Sequence, residues 1–75
     1  MAKKKEDSLE KIGLKLKKLR IEAGYGSYET FANANDLDRK QYWRIENGSN
    51  ITITTLIKIL ELHGLSLKDF FNLVD

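Results

Sequence analysis

Seventy-five residues with a net charge of +2 and no cysteine make one small domain, with no second core and no disulfide or thiolate metal site. A chain of this size buries only about 60% of its unfolded surface, so packing must supply the stability. The absence of proline and only 5 glycines suit helices, and a single histidine builds no zinc site, so no metal or cofactor is expected.

The segment 1–7 reads as a flexible basic arm ahead of a folded unit at 8–75. "MAKKKEDS" has a basic start but no apolar stretch behind it, so it is not a secretory signal. Lys3, Lys4 and Lys5 form either a solvated tail or an arm that tracks phosphates. Helix one runs from about Ser8 to Ala23, on the three- and four-residue steps of Leu9, Ile12, Leu16, Leu19 and Ala23. Asp7 with Glu10, or Ser8, are its candidate caps. Gly13 weakens a helix by up to about 1 kcal/mol against alanine, which points to a close packing contact. Residues 1–20 hold Lys3, Lys4, Lys5, Lys11, Lys15, Lys17, Lys18 and Arg20 against Glu6, Asp7 and Glu10. Three more cations sit at Arg39, Lys40 and Arg44. One basic face results, as an anionic polymer or a membrane surface would require.

"GYG" at 24–26 ends helix one; it follows a helix, so it is no nucleotide-binding fingerprint. Helix two is short, with Ser27 as N-cap and Phe31, Ala32 and Ala34 available to pack. "NAND" at 33–36 makes the turn, because Asn and Asp tolerate left-handed backbone. Helix three opens at Asp38, with Gln41 completing a capping box and Leu37 and Tyr42 at staple spacing. Asn47-Gly48 stops it. "NITITT" alternates like a strand, but Ile53, Leu56, Ile57 and Leu60 have helical spacing over a longer span. Helix four therefore runs from about Thr52 to His63, with Gly64 beyond. The last short helix has a Ser66–Asp69 capping box and an inner face of Leu67, Phe70, Phe71 and Val74. "ITITTLIKILEL" is too short to span a bilayer and contains Lys58 and Glu61, so no membrane role is expected and the chain reads as cytoplasmic. Without a secretory route the sequons at Asn47 and Asn50 carry no meaning.

On helix three, 100° per residue sends Tyr42 and Ile45 one way, with Glu46 at the edge of that face. Lys40, Arg44 and Asn47 point almost oppositely. Arg39 lies at the first turn, and Trp43 and Gln41 occupy opposite flanks. The major groove of DNA is about 12 Å wide and admits one such helix. Arg and Lys donate to guanine, and Gln and Asn match adenine. Trp43 has the ring to lie on a thymine methyl or a sugar. The same basic face would also suit an ordinary solvated helix, and charge alone does not separate the two.

The arrangement resembles the Cro and phage-repressor type of helix-turn-helix domain, the xenobiotic-response-element family. "IGLKLKKLRIEAG", "SYETFA", "LDRKQYWRIENG" and "TTLIKILELHGLSLKDFF" carry the resemblance, in the family's order and over about residues 12–71. It implies an all-α, compact five-helix fold of the lambda-repressor-like type. It places Arg39, Lys40 and Arg44 where members read bases, with Gln41 and Trp43 beside them. Ser27 and Tyr28 at the start of helix two, and Asn47, Ser49 and Asn50 in the following loop, fall at phosphate-contacting positions. Arg20 and Glu46 match a partly buried pair that joins helices one and three. Three departures bear on affinity. "GYGS" is one residue longer than in well-known phage repressors, Tyr28 stands in place of glutamine, and Asp36 stands in place of a turn glycine.

The expected function is sequence-specific binding of double-stranded DNA by a small transcriptional regulator, a repressor acting as a homodimer, with 38–47 in the major groove. The alternative is an antitoxin-like or adaptor protein whose main role is binding a protein partner. No small-molecule ligand is expected. No nucleophile–base pair or paired carboxylates occur at usable spacing, so an enzyme is not expected. His63 reads as a dipole partner at a helix C-terminus. Leu14 and Leu73, off their helical stripes, are either lone exposed leucines or part of a dimer contact.

Overall fold

Serine, threonine and aspartate side chains open four of the five helices. The computed structural model describes residues 2–74, with side chains from Ser8 to Val74. Its elements are α1 (Ala2–Glu22), α2 (Tyr28–Ala34), α3 (Arg39–Glu46), α4 (Ile53–Leu62) and α5 (Leu67–Leu73). The side chains of Ser27, Asp38, Thr52 and Ser66 accept from the backbone N–H three residues on, at Thr30, Gln41, Thr55 and Asp69. These bonds satisfy donors that a helix start leaves orphaned. The reciprocal bond of a full capping box forms at Ser66–Asp69 in α5.

Four helix ends close in one way. The N–H two residues past the cap reaches back to the carbonyl five residues earlier, as in Tyr25→Arg20, Leu37→Ala32, Ser49→Arg44 and Leu65→Leu60. This Schellman geometry needs a left-handed residue at the intervening position. Gly48 supplies it after α3 at φ 94°. Asp36 supplies it after α2 at φ 57°, which is the conformation the "NAND" turn required. Because the α2–α3 turn is closed by Asp38 in the next breath of chain, the two short helices are held as one unit.

The core is Leu16 from α1, Phe31 and Ala32 from α2, Tyr42 and Ile45 from α3, Leu56, Ile59 and Leu60 from α4, and Phe70 from α5. Aromatic contacts run through it. Tyr25 meets Phe31 edge-on at 5.1 Å, and Phe31 meets Tyr42 at the same centroid distance. All described elements are helical, so the fold is all-α.

Several expectations are corrected. α1 begins at Ala2 rather than Ser8, so Ser8 lies inside the helix and does not cap it. The side chains of Lys3, Lys4, Lys5 and Asp7, for which an arm and a cap were expected, lie outside the described residues. Ala23 and Ala34 are exposed. α4 buries Leu56, Ile59 and Leu60 and turns Ile53 outward at 59% exposure, with Ile57 also exposed. The apolar spacing on α4 supports two stripes, and the one that includes Ile59 is the one that enters the core. In α5 Phe70 alone is fully buried, and Phe71 is 46% exposed and meets Phe70 edge-on.

His63 is the C-cap of α4, but it is not a charged partner of the helix dipole. Its ring stacks on Phe31 at 5.4 Å and 3°, and burial holds its pKa below the ordinary histidine value. The unfolded chain therefore takes up this proton first as pH falls. The stabilisation is complete above about pH 6.5, the unfolded value, and is lost as pH drops through the folded pKa. We expect the urea midpoint to fall between pH 7.5 and 5.5, and His63→Leu to remove that dependence. An unchanged midpoint in the parent protein over this range would contradict the assignment.

Candidate nucleic-acid interface

The inner edge of α3 is fixed by two contacts with α1. Arg20 and Glu46 are 4% and 7% exposed. The Arg20 guanidinium donates from Nε to Glu46 Oε2 at 2.8 Å and from Nη2 to Oε1 at 3.2 Å. Its Nη1 donates to the Tyr25 carbonyl at 2.8 Å, so one side chain ties α1, the loop before α2 and the end of α3. The hydrogen bond to Glu46 holds the Arg20 pKa above its ordinary value, against the opposing effect of burial. Beside this pair the Tyr42 phenol is held well above the usual range, chiefly by burial and then by Glu46. The forked geometry matches guanidinium to carboxylate without strain.

The second contact is Gly13. A Cβ at this position would lie 2.5 Å from the Ile45 carbonyl oxygen and 2.6 Å from that of Glu46. The α1 backbone thus abuts the last turn of α3, which is the close approach that a mid-helix glycine suggested.

With Tyr42, Ile45 and Glu46 buried, the outer edge carries Arg39, Lys40, Gln41, Trp43 and Arg44, all exposed. Trp43 is 47% exposed, a large apolar ring held at the surface among cations. Lys40, Trp43 and Arg44 line a shallow recess of about 200 Å³ whose remaining wall is Tyr28, from the first turn of α2. The structure therefore brings four of the expected contact residues together across the two helices. Arg39 approaches Glu29 at 3.8 Å, both side chains being more than half exposed. Such a pair contributes at most about 1 kcal/mol, and it yields readily when a phosphate or base competes for the arginine.

The other expected contacts are more dispersed. Gln41 borders a different recess with Leu37, Asp38 and Thr55, on the α4 side of the helix. The Ser27 hydroxyl accepts from the Thr30 N–H at 3.1 Å and donates to the Thr30 hydroxyl at 2.9 Å. The Asn47 amide donates to the Trp43 carbonyl at 2.8 Å, which closes α3. Ser49 and Asn50 are exposed in the loop before α4. Sequence reasoning did not find Glu29 as the acid beside Arg39. Its position in the first turn of a helix next to a basic helix was a usable signal, although ten residues separate the two in the chain. The exposed row of Lys11, Leu14 and Lys18 on α1 adds positive charge on the outer side of that helix.

Two buried anchors behind a helix and a row of long donors in front of it fit a reader of nucleic acid. The helix-turn-helix domain family matches residues 13–75. The chain belongs to this family. Control protein C.MunI of Mycoplasma sp is 44% identical over 63 residues, covering 83% of this chain and 85% of the relative. No solved structure matches. The match includes all of α2 to α5 and the part of α1 from Gly13 onward. The family assignment agrees with the Cro and xenobiotic-response-element resemblance, and the protein is a DNA-binding regulator of transcription. The family is one of regulatory DNA-binding domains. Among the described residues no helix is long and apolar enough to cross a membrane.

Proposed function

We propose that this helix-turn-helix protein recognises a specific duplex sequence by laying α3 in the major groove. Arg39, Lys40, Gln41, Trp43 and Arg44 face the base edges. Ser27, Tyr28, Asn47, Ser49 and Asn50 flank them toward the phosphates. The observation that carries the reading is the division of α3 itself. Tyr42, Ile45 and Glu46 are buried while every long donor is exposed. A helix so divided presents hydrogen-bond donors at a fixed height and rotation, which base readout requires.

The protein works as a cytoplasmic homodimer that represses by occupying an operator. Exposed Ile53 and Ile57 of α4 and Phe71 and Leu73 of α5 support pairing through the last two helices. Two-fold pairing sets half-sites about one helical turn apart.

Selection of binding duplexes from a random pool tests both statements. An enriched motif with paired half-sites is expected. With the enriched duplex in hand, Arg44→Ala should lose about 1–3 kcal/mol of discrimination between that duplex and a scrambled one. If the variant keeps the parent's ratio of specific to random affinity, Arg44 does not read bases. A single enriched half-site, with a monomer in sedimentation, would contradict the dimer.

A further inference from the structure

The recess between α2 and α3 has a composition that few ligands fit. Two of its four lining residues are aromatic, Tyr28 and Trp43, and the other two are Lys40 and Arg44. The long cations contribute aliphatic stems as well as charged heads, so the interior is apolar and the rim is positive. At about 200 Å³ it is below the range of sites that enclose a drug-sized molecule, and its rim repels cationic ligands. Trp43 sits in the middle of the donor row, i+3 from Lys40 and i−1 from Arg44. At 47% exposure much of the apolar face of the indole is left in water, and an apolar group of a ligand would cover it.

Base-pair edges in the major groove carry donors, acceptors and one apolar group, the C5-methyl of thymine. An apolar recess with a cationic rim, set among residues that face those edges, is complementary to that methyl with phosphates or guanines at either side. We propose that the Tyr28–Trp43 recess is a thymine-reading pocket, and that Trp43 is a specificity-determining residue which contacts the 5-methyl group. The inference rests on the major-groove placement of α3 proposed above. It adds a base identity to that placement and gives Tyr28 the role of a pocket wall.

The test replaces each thymine of the selected duplex, one at a time, by deoxyuridine, which keeps every hydrogen-bonding group and removes only the methyl. Affinity is read by fluorescence anisotropy at fixed salt. The parent protein should show about a fourfold loss at one thymine of each half-site, the equivalent of about 0.8 kcal/mol for one buried methyl. Trp43→Ala should bind the thymine and uracil duplexes equally, and Tyr28→Phe, which keeps the ring wall, should retain the penalty. Because Trp43 lies at the surface, its replacement leaves the core intact, and the uracil series on the parent protein stands without any variant. Discrimination of the selected duplex from a scrambled one, with no thymine sensitive to uracil, would overturn the pocket and leave groove reading in place. So would a selected motif without thymine, or a penalty that survives Trp43→Ala. Failure to discriminate selected from scrambled duplex would overturn the placement of α3 and the pocket with it.

Discussion

Glu46→Ala is expected to destabilise the domain by about 3–5 kcal/mol, the cost of leaving a buried charge without its partner. Arg20 would keep only its bond to the Tyr25 carbonyl and lose both bonds to the carboxylate. A domain of this length has on the order of 4–11 kcal/mol in total. The single change therefore removes a large share of it, and a substantial unfolded population at 37 °C is the expected result. Urea unfolding followed by circular dichroism reads the loss directly. Two companion variants separate charge from packing. Glu46→Gln retains one acceptor for the guanidinium and should cost less. Arg20→Met with Glu46→Leu removes both charges and fills similar volume, and should recover most of the loss. A midpoint for Glu46→Ala within about 0.5 kcal/mol of the parent would show that the pair contributes little.

The pair and the caps were legible in the sequence for different reasons. Ser27, Asp38, Thr52 and Ser66 act over three residues, so their signals are local and survive any tertiary arrangement. The division of α3 is also local, because 100° per residue decides which side chains share an edge once Tyr42 and Ile45 turn inward. Arg20 and Glu46 lie 26 residues apart, and only the family resemblance joined them. Where packing makes the choice, the sequence alone was ambiguous. On α4, Ile53–Leu56–Ile57–Leu60 and Leu56–Ile59–Leu60 are both apolar at helical steps. The tertiary packing of the core decides between them, and it buries Leu56, Ile59 and Leu60. Phe71 followed the same course: the two adjacent aromatics point 100° apart on the helix, and Phe70 took the interior while Phe71 stayed half-exposed against it. His63 carried a sequence signal for a charged cap, and the flat face of Phe31 behind it made a neutral ring the better occupant. The Tyr28–Trp43 recess had no local signal; only the family resemblance placed both residues among the DNA contacts. Its walls are fifteen residues apart on two helices, and the turn angle that brings them together is set by Asp36 and the Schellman closure.

Gly13→Ala should uncouple stability from DNA reading in a way that Glu46→Ala cannot. Alanine favours the helix over glycine by roughly 0.5–1 kcal/mol, so on an exposed helix the change would stabilise. Here the new methyl would meet two carbonyl oxygens of α3 at 2.5 and 2.6 Å, and both are backbone atoms that no rotamer change can move aside. Either α1 or the last turn of α3 must shift. Overpacking of this kind costs about 1–3 kcal/mol, which exceeds the helix-propensity gain. We expect a net loss of about 1–2 kcal/mol in urea, with the protein still folded in buffer. The loss in specific DNA affinity should be larger than this, because the shift moves Arg44, one residue before Ile45, relative to the base edges. A misplacement of about 1 Å is enough to spoil a bidentate contact. Binding to random duplex, which depends on net positive charge and not on register, should be nearly unchanged. Anisotropy titrations of selected and scrambled duplexes, at a temperature where the variant is folded, distinguish the two effects. Equal losses on both duplexes would mean that Gly13 serves folding alone. A loss confined to the selected duplex would identify the α1–α3 contact as the element that sets the height of the recognition helix.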